Sequence, residues 1–270
     1  MALATKYELK LGAATREAFG KTLVELGKEN PNIVVGDADL TKSTMTTYFA
    51  KEFPERLFEC GIAEANMVAV GAGLALAGKI PFVSSFSAFV LTKGFEQLRV
   101  LAAYPNVNLK VVGTHSGISI GEDGPSQMSV EDLALAGALP NFTVISPADE
   151  VATRWAVRWA AEHDGGVFIR CGRVKAPVVY GPEAKFEIGK AVELLPGSDI
   201  TLVATGLLVA EAIKAAEALD AEGVSARVLD MHTIKPLDEE ALERAARETG
   251  CLVVAEEHLV DSGLGARVAQ

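Results

Sequence analysis

The feature that most constrains the fold is an alternation of short apolar segments with longer segments of helical periodicity. The apolar segments are rich in β-branched and aromatic residues and are bounded by Gly, Pro, Asn or Asp, which is typical of strands. In the first helical segment, Ala18, Phe19, Thr22 and Leu23 recur at the three-to-four spacing of one buried helix face. Apolar strands that alternate with helices predict an α/β fold, in which mostly parallel, doubly wound sheets are covered on both faces.

Sixteen elements follow from this pattern. The predicted strands are Ile33–Val35, Ile80–Val83, Leu109–Gly113, Phe142–Ile145, Val167–Arg170, Ile200–Thr205, Ala226–Met231 and Cys251–Glu256. The predicted helices are Thr15–Lys28, Ala63–Ala77, Thr92–Ala103, Val130–Ala136, Asp149–Glu162, Leu207–Leu219, Asp238–Thr249 and the closing segment GLGARVAQ. Asp149 is expected in the first turn of its helix, where a carboxylate meets the positive end of the helix dipole.

A break in the alternation predicts two domains. Residues 171–198 contain three prolines and four glycines and are predicted to form a long connection. We therefore place a boundary near residue 190, between a larger domain (1–190) and a smaller Rossmann-like domain (191–270). Only three strands are predicted in the smaller domain, which makes it thin, and we expect the chain to stop short of its last strand.

Composition excludes several classes of protein. The formal net charge is −11 and the pI is about 4.9, which argues against a nucleic-acid surface because phosphate binding needs a basic stripe. The three cysteines lie far apart without a C-x-x-C pair, so we expect a reducing compartment and no metal site. No apolar run approaches the roughly 20 residues of a membrane span, and the first residues do not resemble a signal peptide. We expect a soluble, cytoplasmic protein without a membrane partner.

An acid at the start of an apolar helix is the first candidate for chemistry. Glu64 lies in the segment FECGIAEANMVAVGAGLALAG, which is apolar on nearly every side and is therefore expected to be buried. Glu64 either faces solvent and complements the helix dipole, or is a buried acid that hydrogen-bonds a ligand ring. Gly71, Gly73 and Gly78 do not follow a strand and do not fit G-x-G-x-x-G, so close helix packing explains them better.

Two further segments follow predicted strands, where ligands usually bind in α/β proteins. Phe86 and Phe89 could stack on a planar ring or form ordinary core. The Gly-rich segment GTHSGISIGEDGPSQ carries His115, Asp123 and Gln127, which could meet a polyhydroxy ligand or lie in a plain surface loop.

The basic residues Arg16, Arg170 and Arg173 stand out in an acidic chain. Arg suits bidentate phosphate binding, although a surface ion pair is the commoner role for any single Arg. Cys60 is expected to be an unreactive residue that packs in the interior. The sequence does not decide whether the polar segment around His258 has a functional role.

Together these segments resemble the carboxyl-terminal half of transketolase, from about Lys10 to Gln270. The matching segments, in family order, are ATREAFGKTL, GDADLTKST, FECGIAEANM, GEDGPSQMSVEDLA, SPAD, RVLDMHTIKPLD and EEHLVDSGLG. Gln127 resembles the animal-type enzymes, since bacterial and yeast transketolases typically carry His there.

The resemblance implies a thiamine diphosphate enzyme of which this chain is one part. Residues 1–190 would form the pyrimidine-binding domain, and residues 191–270 a truncated C-terminal domain. The G-D-G motif that holds Mg²⁺ and the diphosphate in the family is missing, because Gly36-Asp37 is followed by Ala38. We therefore expect the C-terminal subunit of a split transketolase, whose N-terminal partner holds Mg²⁺. A homodimer of this chain would form a heterotetramer with that partner.

The resemblance also implies roles for individual residues. Around the cofactor, Glu64 would hydrogen-bond the aminopyrimidine ring, Phe86 and Phe89 would stack around it, and Asp39 would lie nearby. Arg16, Ser43, His115 and Arg173 match the family's sugar-phosphate clamp. Asp123 and Gln127 would contact substrate hydroxyls. Arg170 has no such match, and no residue of this chain is expected to bind metal.

The expected activity is transfer of a two-carbon ketol unit from a ketose phosphate to an aldose phosphate. Two alternatives stay open. One is a subunit of another thiamine diphosphate enzyme, such as a 2-oxo acid dehydrogenase or the synthase of deoxyxylulose phosphate. The other is a regulatory subunit that keeps the fold without the chemistry.

Overall fold

The computed structural model describes residues 9–270. Its strands, in chain order, are β1 (Leu11–Ala14), β2 (Ile33–Asp37), β3 (Leu57–Glu59), β4 (Ile80–Phe86), β5 (Lys110–Thr114), β6 (Phe142–Ile145), β7 (Gly166–Arg170), β8 (Lys175–Pro177), β9 (Val192–Leu195), β10 (Ile200–Ala204), β11 (Ala226–Asp230), β12 (Thr233–Lys235) and β13 (Leu252–Ala255). Its α-helices are α1 (Thr15–Glu29), α2 (Thr41–Thr44), α3 (Thr47–Glu52), α4 (Glu64–Leu76), α5 (Ser87–Lys93), α6 (Phe95–Gln97), α7 (Asp132–Ala138), α8 (Glu150–Glu162), α9 (Leu208–Ala221), α10 (Glu239–Thr249) and α11 (Leu264–Ala269). A π-helical turn (Leu98–Ala103) and two 3₁₀ helices (Pro54–Arg56, Ile118–Asp123) complete the elements.

The larger sheet has seven strands in the order β12-β6-β7-β5-β4-β2-β3. Every neighbouring pair is parallel except β12 with β6, which is antiparallel. Helix α1 packs with α8 on one face and α4 packs against β4 on the other, so both faces are covered. The predicted α/β fold with mostly parallel sheets in two domains is confirmed.

The smaller sheet has one more strand than the sequence pattern predicted. Its order is β13-β10-β11-β9, with β9 antiparallel to β11. Strand β9 lies inside the segment predicted as an unbroken connection, and β8 in the same segment pairs with β1. These short strands were missed because prolines and glycines on either side mask their pattern.

Strand β12 joins the two parts of the chain. It follows β11 of the smaller sheet, yet it pairs with β6 at the edge of the larger one. The apolar core is continuous in the same way, since Leu229 and Ile234 belong to one cluster with Val111 and Val144. The interface between the two sheets is therefore part of the hydrophobic core.

The buried face predicted for the first helix is confirmed, because Ala18, Phe19, Thr22 and Leu23 are all buried in α1. Several element boundaries were predicted wrongly. The helix predicted to begin at Thr92 begins five residues earlier at Ser87, directly after a longer β4. Asp149 precedes α8 as its N-cap, where its carboxylate accepts the backbone N–H of Ala152 at 2.8 Å.

Close packing explains only one of the three glycines in and just after α4. A Cβ on Gly71 would lie 2.7 Å from Cγ1 of Val83, whereas one on Gly73 would meet nothing within 4 Å. Gly78 has a φ of +84° and ends the helix, with its N–H donating to the carbonyl of Ala75. The packing interpretation was therefore wrong for Gly73 and Gly78.

Within residues 9–270, no helix combines the length and apolarity that crossing a membrane requires. Over the same residues, no group of three or more His, Cys, Asp or Glu side chains is arranged to hold a metal ion.

Candidate functional site

The candidate residues converge on one edge of the larger sheet, where its parallel strands end. Asp39 follows β2, Glu64 follows β3, Phe86 ends β4, His115 follows β5 and Arg173 follows β7. This is the carboxyl edge at which open α/β sheets bind ligands. The sheet topology therefore brings together residues that are far apart in the sequence.

Glu64 is a buried acid, and the solvent-facing interpretation was wrong. It is 2% exposed in the first turn of α4. The hydroxyl of Ser85 donates to Oε1 at 3.3 Å, and Nζ of Lys93 lies 3.4 Å from Oε1 and 3.2 Å from Oε2. Oε2 accepts no hydrogen bond from any described residue, although it is buried. Because a buried carboxylate normally satisfies both oxygens, this atom is available to a ligand.

An aromatic stack lies beside Glu64. The rings of Phe86 and Phe89 are 5.5 Å apart and nearly parallel, and the ring of His115 stacks on Phe86 at 3.8 Å. The ammonium of Lys93 lies 4.4 Å from the centre of the Phe89 ring. The stack thus links the surroundings of Glu64 to those of His115 in one continuous site.

Arg16 supplies a cation that forms no ion pair with any acid of residues 9–270. Its Nη1 donates to the backbone carbonyl of Ser43 at 2.6 Å and contacts Nε2 of His115 at 3.2 Å, while its buried Nε has no partner among the described residues. Burial lowers the pKa of Arg16, and the nearby charge of Arg173 lowers it further. Two guanidinium groups held near each other favour a bound anion.

His115 is neutral and orients Arg16. Burial first, and then the charges of Arg16 and Arg173, lower the pKa of His115 to about 3. Because Nε2 must accept from Arg16, Nδ1 carries the proton and donates to Oγ1 of Thr114 at 3.0 Å. Both ring nitrogens are therefore engaged, so His115 contributes to the clamp through Arg16.

Arg173 faces the acids of the Gly-rich loop. Its Nη2 pairs with Glu122 at 2.5 Å, and its Nε lies 3.7 Å from Oδ2 of Asp123. Its Nη1 donates to the carbonyl of Ile120 at 2.9 Å. The Glu122 bond raises the pKa of Arg173. Asp123 is thus brought to the same end of the site as the two arginines.

Two predicted residues make no such contacts in residues 9–270. The backbone N–H of Asp39 donates to Glu59, but the Asp39 side chain has no described partner. The side chain of Gln127 bonds only the neighbouring hydroxyl of Ser126. The structure therefore does not join the side chains of these two residues to the other candidates.

Sequence reasoning missed one buried acid that shapes the site. Asp37, at the end of β2, accepts the backbone N–H of Leu40 at 2.7 Å and the hydroxyls of Thr44 and Thr46. Burial raises its pKa to about 6. These bonds fold the segment that carries Asp39 and Ser43. Its position two residues after a predicted strand was the available signal.

Arg170 has a structural role. It is buried and pairs with the equally buried Asp132 at 2.8 Å. Its Nη2 also donates to the carbonyls of Ser129 and Glu257. Leaving Arg170 out of the phosphate clamp agrees with these contacts.

An α/β protein with a buried acid, an aromatic stack and paired guanidinium groups at one sheet edge has the organisation of a ligand-binding protein. Comparison with protein families gives two matches: the transketolase pyrimidine-binding domain over residues 12–178 and the transketolase C-terminal domain over residues 189–270.

Similar proteins agree with these matches. The putative transketolase C-terminal section of Methanocaldococcus jannaschii is 47% identical over 257 residues, covering 94% of this chain and 80% of that protein. Human transketolase is 42% identical over 260 residues, covering 95% of this chain but 41% of the enzyme. A solved structure titled "Split gene transketolase, inactive beta4 tetramer" has a TM-score of 0.88 and 52% identity, covering 96% of this chain and 84% of that one.

The chain therefore belongs to the transketolase family. It corresponds to the C-terminal section of that family, and it spans less than half the length of the human enzyme. The family uses thiamine diphosphate, so the buried acid and the aromatic stack acquire a specific candidate ligand.

Proposed function

We propose that this chain is the C-terminal subunit of a split transketolase. With a partner that carries the diphosphate-binding domain, it transfers a two-carbon ketol unit from a ketose phosphate to an aldose phosphate. The observation that carries the proposal is Glu64, a buried acid beside Phe86 and Phe89 whose Oε2 accepts no hydrogen bond from any described residue. A polar ring that stacks on the aromatic residues and bonds Glu64 fits this arrangement.

The residues present fit the pyrimidine half of thiamine diphosphate. Glu64 would hold the ring nitrogen, Phe86 and Phe89 would face the ring, and Asp39 would lie at its edge. When bound, the cofactor supplies the carbon nucleophile and the electron sink of the reaction. The role of Glu64 would be to exchange a proton with the ring. Lys93 is half exposed and long enough to leave Glu64.

The other end of the site fits a sugar phosphate. Arg16 and Arg173 would bind the phosphate, with Arg16 oriented by His115 and by the backbone of Ser43. Asp123 and Gln127 would contact substrate hydroxyls. This phosphate end favours a sugar-phosphate reaction over a 2-oxo acid dehydrogenase. Product analysis with pyruvate separates the proposal from the synthase of deoxyxylulose phosphate.

Mg²⁺ and the diphosphate would belong to the partner chain. The sequence has no G-D-G segment, and the described residues contain no metal-binding group. A similar split-gene chain is titled an inactive beta4 tetramer, which supports a need for the second subunit. We place the complex in the cytoplasm, since all three cysteines are free thiols.

The first test is ketol transfer from xylulose 5-phosphate to ribose 5-phosphate with thiamine diphosphate and Mg²⁺. We expect no turnover by this chain alone and turnover when a partner with the G-D-G motif is added. Turnover by the chain alone would contradict the split-site proposal. A lack of turnover with every such partner would favour the alternative of a regulatory subunit.

Substitution of Glu64 tests the chemistry. In the active mixture, Glu64→Ala should lower kcat by about 10²–10⁴-fold, because it removes the proton-exchanging group. Glu217→Gln, at an exposed position on α9, is the control and should leave kcat unchanged. Sedimentation should show normal assembly for both variants. Near-normal turnover by Glu64→Ala would contradict the proposed role of Glu64 in proton exchange.

We further propose that this chain dimerises through the outer face of α4 and forms a heterotetramer with its partner. Ile62, Leu76 and Tyr104 are large apolar residues more than 75% exposed on or beside this helix. Leu76→Glu should dissociate the dimer in sedimentation velocity, while Val260→Glu, at an even more exposed residue elsewhere, should not. A wild-type monomer at all concentrations would contradict this assembly.

A further inference from the structure

One carboxylate of the smaller domain reaches into the Gly-rich loop of the larger one. Glu257 follows β13, and its Oε1 accepts the backbone N–H of Ser119 at 2.8 Å. Its Oε2 accepts the hydroxyl of the same serine at 3.2 Å. A charged acceptor that bonds both a backbone and a side-chain donor fixes a turn more firmly than a single neutral bond does.

Glu257 is itself held rigidly. Its backbone carbonyl accepts Nη2 of Arg170 at 2.8 Å, and Arg170 is buried in an ion pair with Asp132. The carboxylate also lies so close to the loop that only glycine fits opposite it. A Cβ on Gly117, which has a φ of +81°, would come within 2.8 Å of the Glu257 side chain. The loop and the acid are therefore matched in shape as well as in hydrogen bonding.

The segment between Gly117 and Asp123 has its second attachment at the phosphate end of the site. Arg173 donates to the carbonyl of Ile120 at 2.9 Å and faces Asp123. The loop is thus held by Glu257 on one side and by Arg173 on the other. Loss of the Glu257 contacts would weaken the restraint on the loop, and with it the fixed position of Asp123 relative to Arg173.

We propose that Glu257 is a positioning residue for substrate recognition. It touches no reacting atom; it fixes loop 117–123 so that Asp123 meets the substrate beside Arg16 and Arg173. The smaller domain thereby takes part in sugar recognition, and the inference rests on the proposed function for the meaning of that loop. The part of the inference that concerns only the anchoring of the loop rests on the contacts of Glu257 alone.

The first experiment measures amide hydrogen exchange in the full chain. Glu257→Ala should accelerate exchange in residues 117–123 by about tenfold, since each tenfold corresponds to about 1.4 kcal/mol of lost loop protection. Glu257→Gln keeps an oxygen for Ser119 and should stay close to wild type. The matched control is Glu256→Ala. Its carboxylate accepts the N–H groups of Leu264 and Gly265, so exchange should rise only near α11.

The second experiment uses the active mixture with the partner subunit. Glu257→Ala should raise the KM for xylulose 5-phosphate and ribose 5-phosphate about tenfold or more, because small misplacements of positioning groups cost up to about 10²-fold. The concentration of thiamine diphosphate that gives half-maximal activity should not change, and Glu256→Ala should leave both KM values unchanged. Glu257→Gln should restore most of the lost affinity.

The outcomes separate this proposal from the proposed function. Unchanged loop exchange in Glu257→Ala, or equal effects of Glu256→Ala on the loop and on KM, would overturn the role of Glu257. If no mixture is active, the proposed function fails, and the exchange data alone uphold or overturn the anchoring of the loop by Glu257.

Discussion

At the scale of single residues, the sequence was enough to pick out candidate site residues but did not show which contacts they make. Glu64 and the two arginines were recognisable as residue types that are unusual in their surroundings. The ion pair of Glu64 with Lys93 and the engagement of both nitrogens of His115 were not predicted. These contacts depend on which side chains meet across separate strands, and no local pattern encodes that.

The first prediction at this scale concerns the protonation of His115. Its pKa of about 3 means that the ring stays neutral through neutral pH. Arg16→Met removes one of the positive charges that lower this pKa, so the pKa of His115 should rise while burial keeps it below 6.5. The measurement is a pH titration of ¹⁵N-labelled imidazole nitrogens by NMR.

Lys21→Met is the matched control for that titration. Lys21 lies on the same helix as Arg16 and is exposed, pairing with Glu17. Its removal should leave the pKa of His115 unchanged. A wild-type His115 that titrates near 6.5 would contradict both the neutral ring and its bond to Arg16.

At the scale of elements, apolar periodicity located the long helices and the central strands but missed short edge strands. Strands β9 and β12 are four and three residues long and contribute little pattern of their own. Each forms because a neighbouring strand offers free backbone groups. Local sequence also did not show which glycines of α4 face the sheet.

The two glycines of α4 give the prediction at this scale. Gly71→Ala should lower the free energy of unfolding by about 1–3 kcal/mol, because its Cβ would crowd Val83 and Leu109 in the core. Gly73→Ala meets open space and should raise that free energy by about 0.5–1 kcal/mol through lower backbone entropy in the unfolded chain. Urea unfolding at one fixed protein concentration measures both. Equal effects would contradict the assigned orientation of the helix.

At the scale of the whole molecule, buried titratable groups lie where the two domains meet. His232 and Asp230 are fully buried at the end of β11, and the hydroxyl of Tyr180 donates to Asp230 at 2.5 Å. Burial lowers the pKa of His232 to about 4 and raises that of Asp230 to about 8. The two groups therefore link stability to pH with opposite signs.

The prediction concerns how the free energy of unfolding of wild type, relative to each of two variants, changes with pH. Between pH 6.5 and 4 the unfolded state binds more protons at His232, so its stabilising contribution is lost as pH falls, by about 3 kcal/mol at most. Wild type should lose stability relative to His232→Gln over that window. Between pH 8 and 4 the folded state binds more protons at Asp230, so wild type should gain stability relative to Asp230→Asn as pH falls. Urea unfolding across pH measures both; slopes of the same sign would contradict the assignment.

Local sequence pattern was enough to predict the class of fold, the positions of most helices and central strands, and the residue types of the candidate site. It did so because apolar periodicity and turn residues are local properties of the chain. Even the buried face of α1 was readable in this way.

Only the tertiary structure decided which strands pair, that β12 crosses into the larger sheet, and that Glu257 reaches Ser119 across 138 positions of sequence. It also decided that Oε2 of Glu64 accepts no hydrogen bond from any described residue and that Arg16 lies against His115. The physical reason is that hydrogen bonding and desolvation of a buried polar group depend on all the atoms around it, and those atoms come from distant segments that only the folded chain brings together.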